Sequence, residues 1–142
     1  MKQQNYSNHS KMVFGFHGIL FIAILALLIG SIINLLNASE ENLYSESLLV
    51  LIPFILLIMM YYVRAFALKA QDRAIKAEEN FRHYLLTGKV LSSKLTMRQI
   101  IGLRFASDEE SVALADKAVK EHLSEKEIMK LIKNWKADTY RV

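Results

Sequence analysis

The sequence has no cysteine. Disulfides, thiolate metal sites and thiol nucleophiles are therefore excluded. It has one proline, Pro53, and five glycines, which never cluster into a phosphate-binding loop; Gly88 and Gly102 stand alone. The histidines His9, His17, His83 and His122 form no i, i+4 pair and no HExxH motif. No metal site and no cofactor are expected. Runs of strand-like period two are missing, and the one approach to them, GKVLSSKL at 88–95, reads as a linker. Charge is scarce in the first half. Residues 12–63 hold Glu40, Glu41 and Glu46 and no other formal charge. A charge at the centre of a bilayer costs roughly 3 kcal/mol on insertion scales, so this segregation is what a membrane-anchored chain requires.

The first half also holds two long apolar runs. Residues 13–36 are broken only by His17, Ser31 and Asn34. At about 1.5 Å per residue such a run outreaches a hydrocarbon core of about 30 Å. It is too long, and lacks a small-x-small cleavage site, to read as a signal peptide. Residues 48–68 form the second run, with Pro53 one turn inside and expected to bend it. The joint, 37–47, holds three glutamates and no lysine or arginine. Lys2 and Lys11 flank the first run, in the tail 1–12, while Arg64, Lys69, Arg73 and Lys76 flank the second. The positive-inside rule then places both termini in the cytoplasm and the acidic turn outside. Gly15, Ala23, Ala26 and Gly30 fall on one side of the first span. That side is a candidate helix-packing face, used within the hairpin or against another subunit.

The second span is expected to run on into the cytoplasm as a helix through 69–88, ending on Gly88 as a C-cap. Phe66, Ala70, Ala74, Ala77, Phe81 and Leu85 recur at helical spacing and form one stripe. Asp72–Lys76 and Glu78–Arg82 are i, i+4 pairs in the favourable order. After a linker at 89–95, residues 96–142 read as a small helical unit of three helices. Thr96 opens one, with Met97, Ile100, Ile101 and Phe105 apolar. Ser107–Glu110 and Ser124–Glu127 read as capping boxes opening two more. In the last, Ile128, Leu131, Ile132 and Trp135 make the apolar stripe, and Lys126, Lys130, Lys133 and Lys136 cover the other face.

No catalytic residue is assigned. Asp108, Glu109 and Glu110 suit a helix N-terminus, and His83 with Glu79 is an ordinary surface pair. The expectation is a non-enzyme with no evident small-molecule substrate. The candidate docking surface is basic: Arg64, Lys69, Arg73, Lys76, Lys126, Lys130, Lys133 and Lys136. Its partners would be an acidic protein surface or anionic lipid, with nucleic acid as the alternative. Self-association through the membrane helices is a further route to a partner.

Two resemblances add to this. The two apolar runs, AQDR at 70–73, LRFASDEE at 103–110, IKNWKAD at 132–138 and the final RV resemble a family of small bacterial membrane proteins known only as a domain of unknown function. That resemblance implies a multi-pass protein of the bacterial inner membrane and supplies no activity. LADKAVKEHLSEKEIMKLIK at 114–133 is similar to a helical pair in chromosome-partition DNA-binding proteins. It implies at most a membrane tether for nucleic acid, to be recognised by steep salt dependence. The fold expected is an all-α membrane protein: a two-helix transmembrane hairpin whose second span continues into a long cytoplasmic helix carrying a small helical C-terminal unit. The function expected is that of an accessory or scaffold protein.

Overall fold

The computed structural model describes residues 5–6 and 13–137. Lys2, His9, Lys11 and the closing stretch from 138 lie outside the described residues. Among the described residues the regular structure is helical, apart from one isolated antiparallel bridge between Ala106 and Trp135. A π-helical stretch, Gly15–Leu20, leads into α1 (Phe21–Leu36). There follow α2 (Leu43–Thr87), α3 (Met97–Leu103), α4 (Asp108–Lys120) and α5 (Glu125–Leu131). The chain divides after Ala67 into two compact units, and α2 contributes to both.

The first unit ends at Ala67. Its buried side chains are Ile24, Ser31 and Pro53. Ser31 Oγ donates to Leu28 O at 3.0 Å, so the hydroxyl is satisfied within its own helix. Helix α2 runs on through Pro53. It also starts at Leu43, earlier than the expected 48, because Asn42 O already accepts from Glu46 N at 3.0 Å. Glu46 sits in that first turn, where a carboxylate meets the positive end of the helix. Its carboxylate also accepts a hydrogen bond from Asn34 Nδ2. The acidic joint is thus shortened to 37–42.

Gly15, Ala23, Ala26 and Gly30 are all exposed. The inward side of α1 is marked by Ile24 and Ser31, about a third of a turn round from Ala23, Ala26 and Gly30. Gly15 lies in the π-helical stretch, where His17 Nδ1 hydrogen-bonds Val13 O at 3.1 Å. The wider π turn does not keep the 3.6-residue phase that placed Gly15 with the other three.

The second unit holds the core. Ile75 of α2, Leu95, Ile100, Leu103, Phe105, Leu114, Ala118, Ile128, Met129 and Ile132 are buried together, with Ala106 and Ala115 between them. Helix α2 ends at Thr87, and Gly88 takes φ +71 with its N–H on Tyr84 O at 2.7 Å, as a glycine cap does. The expected apolar stripe of α2 is not the side that meets this core. Phe66, Phe81 and Leu85 are 62%, 64% and 68% exposed, and Ala70, Ala74 and Ala77 are exposed with them. Helix α2 joins the unit instead through Ile75, Glu79 and Arg82 on the other side.

Arg82 explains that choice. Its guanidinium donates to Glu79 Oε2 at 3.2 Å, to Asp108 Oδ1 at 2.6 Å and to Ala106 O at 2.6 Å. The bonds to Ala106 and Asp108 fasten α2 to the entry of α4, and the three together replace the expected Glu78–Arg82 pair. Long-range, charge-assisted bonds of this kind outweigh an exposed pair along one helix.

The capping boxes differ from expectation in one place. Ser124–Glu127 forms, and Thr96 with Gln99 forms another. Ser107 makes no side-chain cap bond. Its expected partner Glu110 reaches across to accept from Lys133 N at 3.2 Å and Asn134 N at 2.7 Å. That capture also ends α5 early. Ile132 turns extended with ψ 123, Ser107 N donates to Asn134 O, and Lys136 N donates to Phe105 O. Helix α5 therefore stops at Leu131, and Lys133, Trp135 and Lys136 are not helical. The Trp135 ring still packs inward, 5.2 Å from the Phe105 ring.

Candidate functional site

The expected lysine face divides once α5 stops at Leu131. Lys126 and Lys130 remain on that helix, and Lys130 Nζ lies 5.8 Å from the Tyr6 ring. Lys133 and Lys136 follow it, with their backbone N–H groups tied to Glu110 and Phe105. On α2, Lys69, Arg73 and Lys76 are exposed and share one side. Arg64 belongs to the first unit.

Lys126 instead acquires new neighbours. It lines a cleft of about 570 Å³ with Lys94, Arg98 and His122. The remaining walls are Thr96, Gln99, Leu123, Ser124 and Glu125. The one carboxylate there, Glu125, lies 3.5 Å from Arg98, so cationic side chains prevail.

The two walls are built alike. Lys94-Leu95-Thr96-Met97-Arg98 and His122-Leu123-Ser124-Glu125-Lys126 share one pattern, basic–Leu–hydroxyl–x–basic. In each, the leucine turns inward, the hydroxyl residue caps a short helix, and the two basic residues flank the cap. Gln99 joins the walls. Its Oε1 accepts from Thr96 N at 2.8 Å, and its Nε2 donates to Leu123 O at 2.8 Å. Gln99 is buried at 9% exposure, so both ends of the amide need these partners.

His122 has φ 53, a left-handed conformation that side chains other than glycine adopt at a cost. It lets Leu123 N reach back to Ala118 O at 3.2 Å, the closing bond of a Schellman turn after α4. Backbone strain of this kind often accompanies a functional role. Sequence reasoning missed Lys94, Arg98, Gln99 and His122. The signal that could have found them is the repeated five-residue pattern around the two caps.

The residues weighed for catalysis are engaged elsewhere. Asp108 binds Arg82, and Glu110 holds the segment after α5. His83 and Glu79 line a void of about 10 Å³, room for no more than one water. Burial pushes the Glu79 carboxyl above its ordinary value of 4.5, and the nearby Arg82 guanidinium pulls the other way without reversing it. Among the described residues no group of three or more His, Asp or Glu side chains is placed to hold a metal ion.

No curated protein and no solved structure matches the chain. A family model does match, over residues 1–142, and the chain belongs to that family, DUF6526, a family of unknown function.

Proposed function

We propose that this is a two-span membrane protein whose helical unit stands in the cytoplasm of a bacterium and docks an acidic protein partner. The observation that carries the reading is the exposure of the two apolar helices. Gly15–Leu36 and Leu43–Thr87 are long and apolar enough to cross a membrane, and their most apolar windows are only 11% and 6% buried. The core helix of a water-soluble protein would be mostly covered; these would put a large apolar surface into water. The excess of basic side chains supports the docking role. From Arg64 onward there are 16 basic and 11 acidic residues, and Lys94, His122 and Lys126 meet in one cleft. The cleft suits carboxylate side chains of an acidic segment.

The absence of cysteine makes the test direct. Single cysteines are placed at Ser45 and at Lys126, and a membrane-impermeant maleimide is added. Ser45→Cys is expected to label on intact cells, and Lys126→Cys only after the membrane is opened. In opened membranes, labelling at position 126 should speed up after a high-salt wash strips the partner. Labelling of both positions on intact cells would sink the two-span reading, and a salt-independent rate at 126 would sink the docking role.

A further inference from the structure

We propose that residues 70–84 of α2 pair with the same residues of a second copy of the chain, as a parallel two-stranded coil. Ala70, Ala74, Ala77, Phe81 and Tyr84 follow one another at intervals of four, three, four and three. That is the a/d repeat of a coiled-coil seam. The seam is open. The three alanines are exposed, and Phe81 and Tyr84 are 64% and 53% exposed. It lies more than a third of a turn round α2 from Ile75, which is buried in the core of the chain's own unit. One side of α2 is thus used within the chain and the other is left apolar. The alanines allow close helix approach, and the two aromatic residues supply the area.

Charge chooses the partner and the direction. With Ala74 and Phe81 at a positions, Arg73 falls at g and Glu78 at the following e. In a parallel, in-register pair, g of one helix faces the next e of the other. Arg73 of each copy then meets Glu78 of its mate, twice by symmetry. Both side chains are exposed. They are five residues apart, which does not bring them together on one helix. Arg82, the expected mate of Glu78, is instead bound to Glu79 and Asp108. Two heptads make a weak coil alone. Anchoring both copies in one bilayer would raise their effective concentration and impose the same parallel sense. In its strength, though not in its register, the contact therefore rests on the membrane reading.

The test uses the full chain in its own membranes. Ala77→Cys places a thiol at a d position, where symmetric copies bring Cα atoms within disulfide reach. Mild oxidant is expected to give a covalent homodimer from Ala77→Cys and none from Lys76→Cys, which is exposed but off the seam. Adding Arg73→Glu should remove most of the linked species, and adding Glu78→Arg to that variant should restore it. No link at position 77, equal linking at 76, or failure of the double reversal to restore the link would overturn the proposal. A link from position 77 to a different protein would overturn it as well. Labelling of Ser45→Cys on the same cells is read separately. External labelling without a dimer sinks the coil alone, and a dimer without external labelling sinks the membrane reading alone.

Discussion

At the scale of single residues, the side chains that decide this structure are polar ones placed under cover. Arg82 is 12% exposed and satisfies three acceptors at once, one each from α2, the loop before α4 and α4 itself. Glu79 is the weaker member of that cluster. Its side chain is 13% exposed, and loss of hydration outweighs the attraction of Arg82, so its carboxyl holds a proton more tightly than an ordinary one. A group whose folded pKa is raised favours the folded state at acid pH. That contribution is lost as pH rises from 4.5 through the folded value. Glu79→Gln keeps an oxygen for Arg82 and removes the titration. The variant is expected to melt with the wild type in acid and above it at neutral pH, in parallel thermal melts across that range. A wild type that is the more stable of the two at neutral pH would mean that the ion pair with Arg82 outweighs the burial.

At the scale of elements, short helices depend on their ends. Helix α5 has seven residues, and its first turn is held by Ser124 Oγ accepting from Glu127 N and by the Glu127 carboxylate accepting from Ser124 N at 2.7 Å. The Ser124 hydroxyl also donates to the Glu127 carboxylate at 2.7 Å, and this bond first, then the one from Ser124 N, holds the carboxyl below its ordinary range. Ser124→Ala should cost about 1 kcal/mol. In a unit of this size that lowers the melting temperature by several degrees. The depressed carboxyl also means that the box weakens as pH falls through the folded pKa of Glu127, so the gap between variant and wild type should narrow in acid. A gap that widens there would contradict the role given to Glu127. Elements of this kind were legible because they are local. The Ser124 box, the Gly88 stop and the apolar positions Ile100, Phe105 and Ile128 needed no knowledge of the rest of the chain. What escaped the sequence was decided by distant groups. Glu110 left its own helix for the backbone of Lys133 and Asn134, and α5 lost the turn assigned to Trp135. Arg82 found Asp108 rather than Glu78, so the buried side of α2 is not its most apolar one. The cleft escaped because its lining residues Lys94, Arg98, His122 and Lys126 come from two separate segments, joined in the fold by the Gln99 amide and by the Arg98–Glu125 contact.

At the scale of the whole molecule, the two units pose opposite solvent problems. The second has a core, capping boxes on α3 and α5 and charged residues across its exterior, and water suits it. The first buries Ile24, Ser31 and Pro53 and leaves Ile22, Ile29, Ile33, Ile55 and Ile58 each more than half exposed. Each such side chain gains roughly 1.5–3 kcal/mol on leaving water. Summed over both helices, that exceeds the few kcal/mol by which a folded domain is ordinarily stable, so the first unit in water would aggregate or refold. In hydrocarbon the same surface costs nothing, and α-helices satisfy their own backbone there. A protein held by charge alone would come off a membrane with salt, since exposed ion contacts are screened. One held by two proposed spans would not. Membranes carrying the full chain are expected to keep it in the pellet through high salt and through alkaline carbonate, and to release it only to detergent. Lys126→Cys, Arg73→Glu and Ala77→Cys should all pellet like the wild type, because each alters the second unit and leaves the apolar helices untouched. Release of the wild type by carbonate would show that the exposed apolar helices find cover in another protein rather than in lipid.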